Sequence, residues 1–161
     1  VTITGGKWTT YRKMAEDTID QAALVADLED RECVTKTLQL HGWHQHTEPF
    51  GALADYGSDA PELQALMREE PRLAERLHPG HEMVAAQVAW AARHEAARTV
   101  EDVLSRRTRM LLLDCRASVA MAGTVARILA EELGRDDAWQ KEQVDNYTEL
   151  ARGYLPAGAT H

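Results

Sequence analysis

The residues Gly5-Gly6-Lys7-Trp8-Thr9-Thr10-Tyr11-Arg12 form the strongest candidate site in the sequence. Paired glycines that close an extended stretch and feed a helix let a ligand come close to the backbone. The N–H groups at the start of that helix lack intrahelical acceptors, and the aligned peptide dipoles add partial positive charge. Such a corner suits an anion or a polarised carbonyl, with Lys7 and Arg12 as cationic donors. Spacing by itself favours a simpler reading, a tight strand-to-helix corner capped by Thr9 or Thr10. The pattern is neither a Walker loop nor a GxGxxG fingerprint.

Three further groups carry chemistry-bearing side chains. His41-x-x-His44-x-His46 has residues that ligate zinc as neutral imidazoles, but no fourth ligand stands at motif spacing, so no metal is assigned. His78 and His81 flank Pro79-Gly80 and read as turn and cap residues. Arg106-Arg107-Thr108-Arg109 lies near Glu95, Asp102 and Asp114 in sequence. It reads as an ion-paired helix that ties its neighbours together, because a nucleic-acid patch would extend into a wider basic surface. Cys33 and Cys115 lie far apart without a CxxC spacing and read as reduced thiols of a reducing compartment. Trp43, Trp90, Trp139 and the tyrosines read as packing residues, and no Ser/His/Asp order or activated cysteine stands out.

The totals bound what these groups can belong to. A chain of 161 residues is long enough for one ordinary core, and its formal net charge of −8 repels phosphate backbones, which disfavours nucleic acid as a partner. Its longest apolar run, Met110-Leu111-Leu112-Leu113, is far short of the ~18 to 20 residues a membrane span needs. With no starting Met and no signal-peptide layout, the chain is expected to be a soluble, intracellular piece of a larger protein without chemistry of its own.

The elements that must position the candidates follow from periodicity. Val1-Thr2-Ile3-Thr4 alternates as a short strand, and Gly5-Gly6 ends it. From about Thr9, apolar residues recur at Tyr11, Met14, Ile19, Ala22 and Ala26, the spacing of a helix. Residues 27–57 read as a connector, with Val34 to Leu40 extended and turns at His41-Gly42-Trp43 and Pro49-Phe50-Gly51. Ser58 or Asp59 caps a helix to about Glu70, and Pro71 starts a short helix carrying Leu73 and Leu77. A long helix runs from about Glu82 to Glu95, and Thr99 with Asp102 forms a capping box. The helix from about Ala117 to Leu133 is apolar on most sides, as the central member of a bundle would be. Gly134 stops it, and Asp136 or Asp137 caps a last helix presenting Val144, Tyr147, Ala151 and Tyr154. The fold class expected is all-α: a helical bundle domain at 58–161, a connector at 27–57, and a strand, glycine turn and helix at 1–26.

Several phrases together resemble the C-terminal end of the FAD-dependent, aerobic respiratory glycerol-3-phosphate dehydrogenases. They are the corner from Gly5 to Asp17; Tyr56-Gly57-Ser58-Asp59-Ala60; and, most distinctively, the run from Ala91 through Glu95, Thr99, Glu101-Asp102-Val103-Leu104 and Arg106-Arg107-Thr108-Arg109 to Leu113-Asp114. Glu131-Glu132-Leu133-Gly134 adds weaker support, and Val34 to Phe50 matches least.

The resemblance implies that residues 1–26 are the remnant of a flavin-binding domain and that the rest is its helical cap. It implies a parent enzyme that oxidises sn-glycerol 3-phosphate to dihydroxyacetone phosphate in glycerol metabolism, passing electrons through FAD to quinone. Gly6, Lys7, Trp8 and Thr9 would then contact the cofactor, with the N–H groups near Trp8 and Thr9 facing the flavin's pyrimidine carbonyl. Lys7 would also serve the substrate phosphate. This reverses the preference for a bare corner, although Trp8 departs from the smaller aliphatic residue expected there. The dinucleotide fingerprint and substrate lobe are missing, so the piece itself is expected to be inactive and to hold no FAD. Its partners would be the N-terminal flavin domain of the same chain, quinone and a membrane surface through the full-length enzyme, with self-association left open. The location implied is cytoplasmic, the full-length enzyme lying on the inner face of the cytoplasmic membrane. A free-standing helical interaction module, or a metal-binding helical domain built on the histidines, would be the alternatives.

Overall fold

The computed structural model describes residues 1–155. They are helical and irregular, without a β-strand among them, and pair in strand fashion only at an isolated antiparallel bridge between Arg76 and Val84. The chain divides into two units, Val1–Trp43 and His44–His161.

The first unit is built on helix α1, Tyr11–Val25, whose periodic apolar residues made it legible. None of its residues is buried. Val1-Thr2-Ile3-Thr4 is not the strand expected from its alternation. A strand needs a neighbour to take up its backbone hydrogen bonds, and none is present among the described residues. The extended piece expected over Val34 to Leu40 is instead a single 3₁₀ turn, Val34–Lys36, followed by irregular chain.

The second unit holds all the buried apolar residues among those described, from Leu53 to Ala151. A 3₁₀ stretch, Glu48–Asp59, leads into α2, Ala60–Glu69, which begins after Asp59 with Pro61 in its first turn. Leu63 on α2 and Leu73 on the 3₁₀ turn Pro71–Ala74 enter the core. The helix expected to carry Leu77 stops at Ala74. From Glu75 the backbone bonds across to the next segment, with Leu77 N–H on Met83 O at 2.9 Å and Ala85 N–H on Glu75 O at 2.9 Å. That pairing uses the backbone on both sides of His78-Pro79-Gly80, so α3 starts at Ala85 rather than Glu82.

Helix α3, Ala85–His94, is buried from Ala85 through Ala92, and its alanines let neighbouring backbones approach closely. Gln87 Oε1 accepts the Val84 N–H at 2.9 Å and closes its first turn. A π-helical turn, Asp102–Arg107, and the short α4, Met110–Leu113, then lead to α5, Cys115–Leu133. Helix α5 packs against α3, α4 and α6, Asp137–Arg152, and is the organising member its composition called for. Asp114 caps α5 through the Ala117 N–H at 3.0 Å, and Asp136 caps α6 through the Trp139 N–H at 2.9 Å. Gly134 closes α5 at φ 63°, a left-handed conformation that glycine adopts without cost. In the core, the Tyr147 hydroxyl donates to Ser118 Oγ at 3.0 Å, so neither buried hydroxyl is orphaned.

Candidate functional site

The glycine corner is shaped by the φ of two residues, 77° at Gly5 and 111° at Gly6. At Gly6 it is the backbone conformation that requires glycine; a Cβ there would also meet the end of the Met14 side chain, which is flexible enough to move aside. Thr10 folds the next residues into a tight loop. Its Oγ1 accepts the Lys7 N–H at 3.0 Å and donates back to Lys7 O at 3.1 Å, and its own N–H bonds Lys7 O at 2.9 Å. Thr10 is thus the residue before α1, yet its side chain serves the loop rather than the helix start. The N–H groups of Trp8 and Thr9 have no protein acceptor among the described residues.

Around this loop lies a wide bowl of about 610 Å³, walled by Ile3, Tyr11, Met14 and Ile19, with Lys7 and Trp8 at its edge. Lys7 is exposed and forms no ion pair among the described residues. Trp8 is 87 % exposed, with its ring 5.3 Å from that of Tyr11. The arrangement offers a flat apolar ligand a floor, a cation and two free N–H donors.

Arg12, expected to be a second donor at the corner, turns away from it. Its guanidinium donates to Glu16 Oε2 at 2.6 Å and to Thr35 Oγ1 at 3.3 Å, and lies 3.9 Å from Cys33 Sγ. The spacing of four residues between Arg12 and Glu16 is the signal that assigns it, since such residues are neighbours on a helix face. Glu16 also meets Lys13 at 3.3 Å and Lys36 at 3.4 Å. The Arg12 hydrogen bond, helped by the lysines, holds the Glu16 carboxyl down at about 2. The hydrogen bond from Thr35 draws the Cys33 thiol below its ordinary value.

The histidines are arranged for local structure. His44 Nδ1 accepts the His46 N–H at 3.1 Å, and its ring stands edge-on to Phe50 at 5.0 Å. No group of three or more His, Cys, Asp or Glu among the described residues has metal-holding geometry. His78 Nδ1 accepts the Gly80 N–H at 3.1 Å, the turn role expected of it. His81 does more than its spacing suggested, pairing with Asp114 Oδ2 at 3.0 Å. The Ala117 N–H first, and then His81, hold the Asp114 carboxyl below its ordinary range.

The capping box is present as expected: Asp102 Oδ2 accepts the Thr99 N–H at 3.0 Å, and Thr99 Oγ1 accepts the Asp102 N–H at 3.1 Å. Arg106 pairs with Glu101 at 2.5 Å and Asp102 at 2.9 Å, as an ion-paired run should. Arg107 donates twice to Glu95 O, at 3.1 and 2.5 Å, and Arg98 donates to Ala92 O at 3.1 Å and Ala97 O at 2.8 Å. Together they satisfy the carbonyls of Ala92 and Glu95, at the end of α3, and of Ala97 just beyond it. Burial raises the Glu95 carboxyl above its ordinary value, against the pull of Arg107. Arg109 differs from its neighbours: its backbone is left-handed, φ 57°, and its side chain is exposed without an ion pair among the described residues.

Sequence reasoning missed one tie entirely. Arg93 at the end of α3 grips Glu132 on α5 through two bonds, 2.7 and 2.6 Å, and also reaches Glu70 at 3.3 Å. No motif announces it, because its members come together only once three helices pack.

The family described as the C-terminal domain of alpha-glycerophosphate oxidase matches residues 2–140. A mitochondrial glycerol-3-phosphate dehydrogenase of Arabidopsis thaliana is 36 % identical, over 93 % of this chain and 29 % of its own length. One from Bos taurus is 31 % identical over 96 % of this chain and 23 % of its own. One from Schizosaccharomyces pombe is 29 % identical over 96 % and 30 %. The chain therefore spans less than a third of the length of these curated relatives. No solved structure matches. The names of the relatives place them in mitochondria, which overturns the expectation of a cytoplasmic enzyme on the inner face of the cytoplasmic membrane.

Proposed function

Because the chain belongs to the family of the C-terminal domain of alpha-glycerophosphate oxidase, we propose that it is the C-terminal part of a flavoenzyme oxidising sn-glycerol 3-phosphate to dihydroxyacetone phosphate. Its first unit completes a flavin site whose remainder lies in the N-terminal part of such an enzyme. The helical unit is a supporting and contact domain. Bound FAD would accept a hydride from the substrate carbinol carbon and pass electrons onward, to a quinone in this reading.

The observation that carries the proposal is the open glycine corner. Gly5 and Gly6 give close access to the backbone, the N–H groups of Trp8 and Thr9 lack acceptors, and Lys7 stands at the rim of an apolar bowl. These residues fit the polarised carbonyl edge of a flavin ring, with Lys7 free to reach the edge or a substrate phosphate. The absence of buried residues from α1 adds support, since its apolar side chains suit a helix packed against something larger.

The test has two arms. The 161-residue chain titrated with FAD should leave flavin fluorescence unchanged. A longer polypeptide carrying the flavin domain should purify yellow and bleach with sn-glycerol 3-phosphate. In that polypeptide Lys7→Met should raise KM for sn-glycerol 3-phosphate by roughly tenfold or more, the loss of one charge-assisted contact. A colourless long polypeptide, or an unchanged KM and flavin content in the variant, would count against the role given to the corner.

A further inference from the structure

The glycine corner carries one side chain that the fold leaves unused. Trp90 is buried and stacks on His94, and Trp139 packs against the core of the helical unit. Trp8 is instead the most exposed large apolar side chain among the described residues. Of the described rings, that of Tyr11 stands beside it, tilted by 35°. The loop beneath the indole does not need it. Thr10 takes the Lys7 N–H and gives two bonds to Lys7 O, so the backbone around position 8 is held by Thr10. A ring presented from a fixed loop loses little further freedom on meeting a ligand.

Position 8 offers two kinds of contact at once. Its N–H, like that of Thr9, has no acceptor among the described residues, and its side chain is a flat apolar ring at the edge of the bowl. The approach to it is clear on the glycine side, since a Cβ placed on Gly5 would meet nothing within 4 Å. What fits such a position carries a hydrogen-bond acceptor at its rim and a flat face beside that rim. A heteroaromatic ring with a carbonyl on its edge has both. A lipid chain lacks the acceptor, and a peptide carbonyl comes without the face.

We infer that the indole of Trp8 packs directly against the flavin ring, so that this chain grips its cofactor by an aromatic side chain as well as by backbone donors and Lys7. The inference rests on the function proposed above and adds to it a contact made by a side chain rather than by the backbone. An electron-rich indole against an electron-poor ring is a favourable pairing of two flat faces, and it shields both from water. Leucine at the same position would keep the N–H and lose the face. The backbone and side-chain contributions of the one residue can therefore be measured apart.

The experiment uses the longer polypeptide carrying the flavin domain, labelled with fluorotryptophan, with Trp8→Phe to assign the Trp8 resonance. Dithionite reduces the bound flavin and so changes the ring without adding a substrate. The fluorine resonance of Trp8 should shift on reduction, while those of Trp90 and Trp139, held in the helical core, stay in place. Titration of the apoprotein with FAD gives the second readout. Trp8→Leu should raise the dissociation constant about tenfold, the loss of one stacked contact, and Trp8→Phe, which keeps a flat ring, should restore most of the affinity. The fluorine shift is read on the unsubstituted polypeptide, so a Trp8→Leu variant that fails to fold leaves the inference testable. A Trp8 resonance that does not respond to reduction overturns the inference, and so does an unchanged dissociation constant in Trp8→Leu. Either result leaves the functional reading standing, because the N–H groups and Lys7 are untouched. An unsubstituted polypeptide without flavin removes both.

Discussion

Glu16 shows how much a single side chain on α1 organises. Three cations converge on its carboxylate, and the guanidinium of Arg12 contributes most to lowering its titration to about 2, against an ordinary value of 4.5. A carboxyl whose folded value is depressed stabilises the fold above its unfolded value, and that contribution fades as pH falls through the folded one. Carbon-detected NMR of the carboxyl should therefore show a midpoint near 2, moving up toward 4.5 in Arg12→Ala. An unmoved midpoint would show that Arg12 does not hold Glu16. The same residue marks a limit of reading by motif. Arg12 stands beside the glycine corner in sequence and looked like one of its donors, yet its helical neighbour Glu16 competes for it at closer range. Lys7, two residues after Gly5 and before α1 begins, has no such neighbour, and its side chain forms no ion pair among the described residues.

Elements whose ends are fixed by local side chains were legible, and those fixed by distant backbone were not. The capping box at Thr99 and Asp102, the Asp136 cap and the Gly134 stop all act within four residues, so the sequence displays them. The start of α3 is set instead by backbone bonds at Glu75 and Leu77, which no local pattern announces, together with the local Gln87 cap on the Val84 N–H. Val1 to Thr4 fails for the opposite reason, because its alternation is genuine but the sheet it would join is not among the described residues. The π-helical turn Asp102–Arg107 was also hidden, its reach being set by Thr108, which bonds Val103 O through both its N–H and its hydroxyl. The capping box gives the measurable case. Thr99→Ala removes the hydroxyl that accepts the Asp102 N–H and should cost about 1 kcal/mol of unfolding free energy in urea. The denaturant slope should not change, since no core residue is touched. A loss of a few tenths or less would mean that the Asp102 carboxylate alone sustains the turn.

At the scale of the whole molecule, burial is distributed unevenly. Every buried apolar residue among those described lies between Leu53 and Ala151, and the helices there pack α3 against α5 and α5 against α6. The first unit has apolar surface without an interior: Ile19, Leu24, Val25, Leu28 and Leu40 are all exposed. Conformational entropy opposes ordering each residue by about 1 to 2 kcal/mol, and only buried apolar area offsets that on a sufficient scale. Residues 44–161 have such a core and residues 1–43 do not. Expressed alone, residues 44–161 should therefore give a helical circular-dichroism spectrum and a single cooperative thermal transition, because the caps of α5 and α6 and the Arg93 grip on Glu132 all lie within that span. Residues 1–43 alone should give a spectrum close to that of an unfolded peptide, since isolated helices of about 15 residues are marginal in water. Two cooperative units of similar stability would contradict this, and would mean that α1 has a core of its own. The single transition expected is the thermodynamic form of the functional proposal, in which one unit folds by itself and the other waits for a surface to complete it.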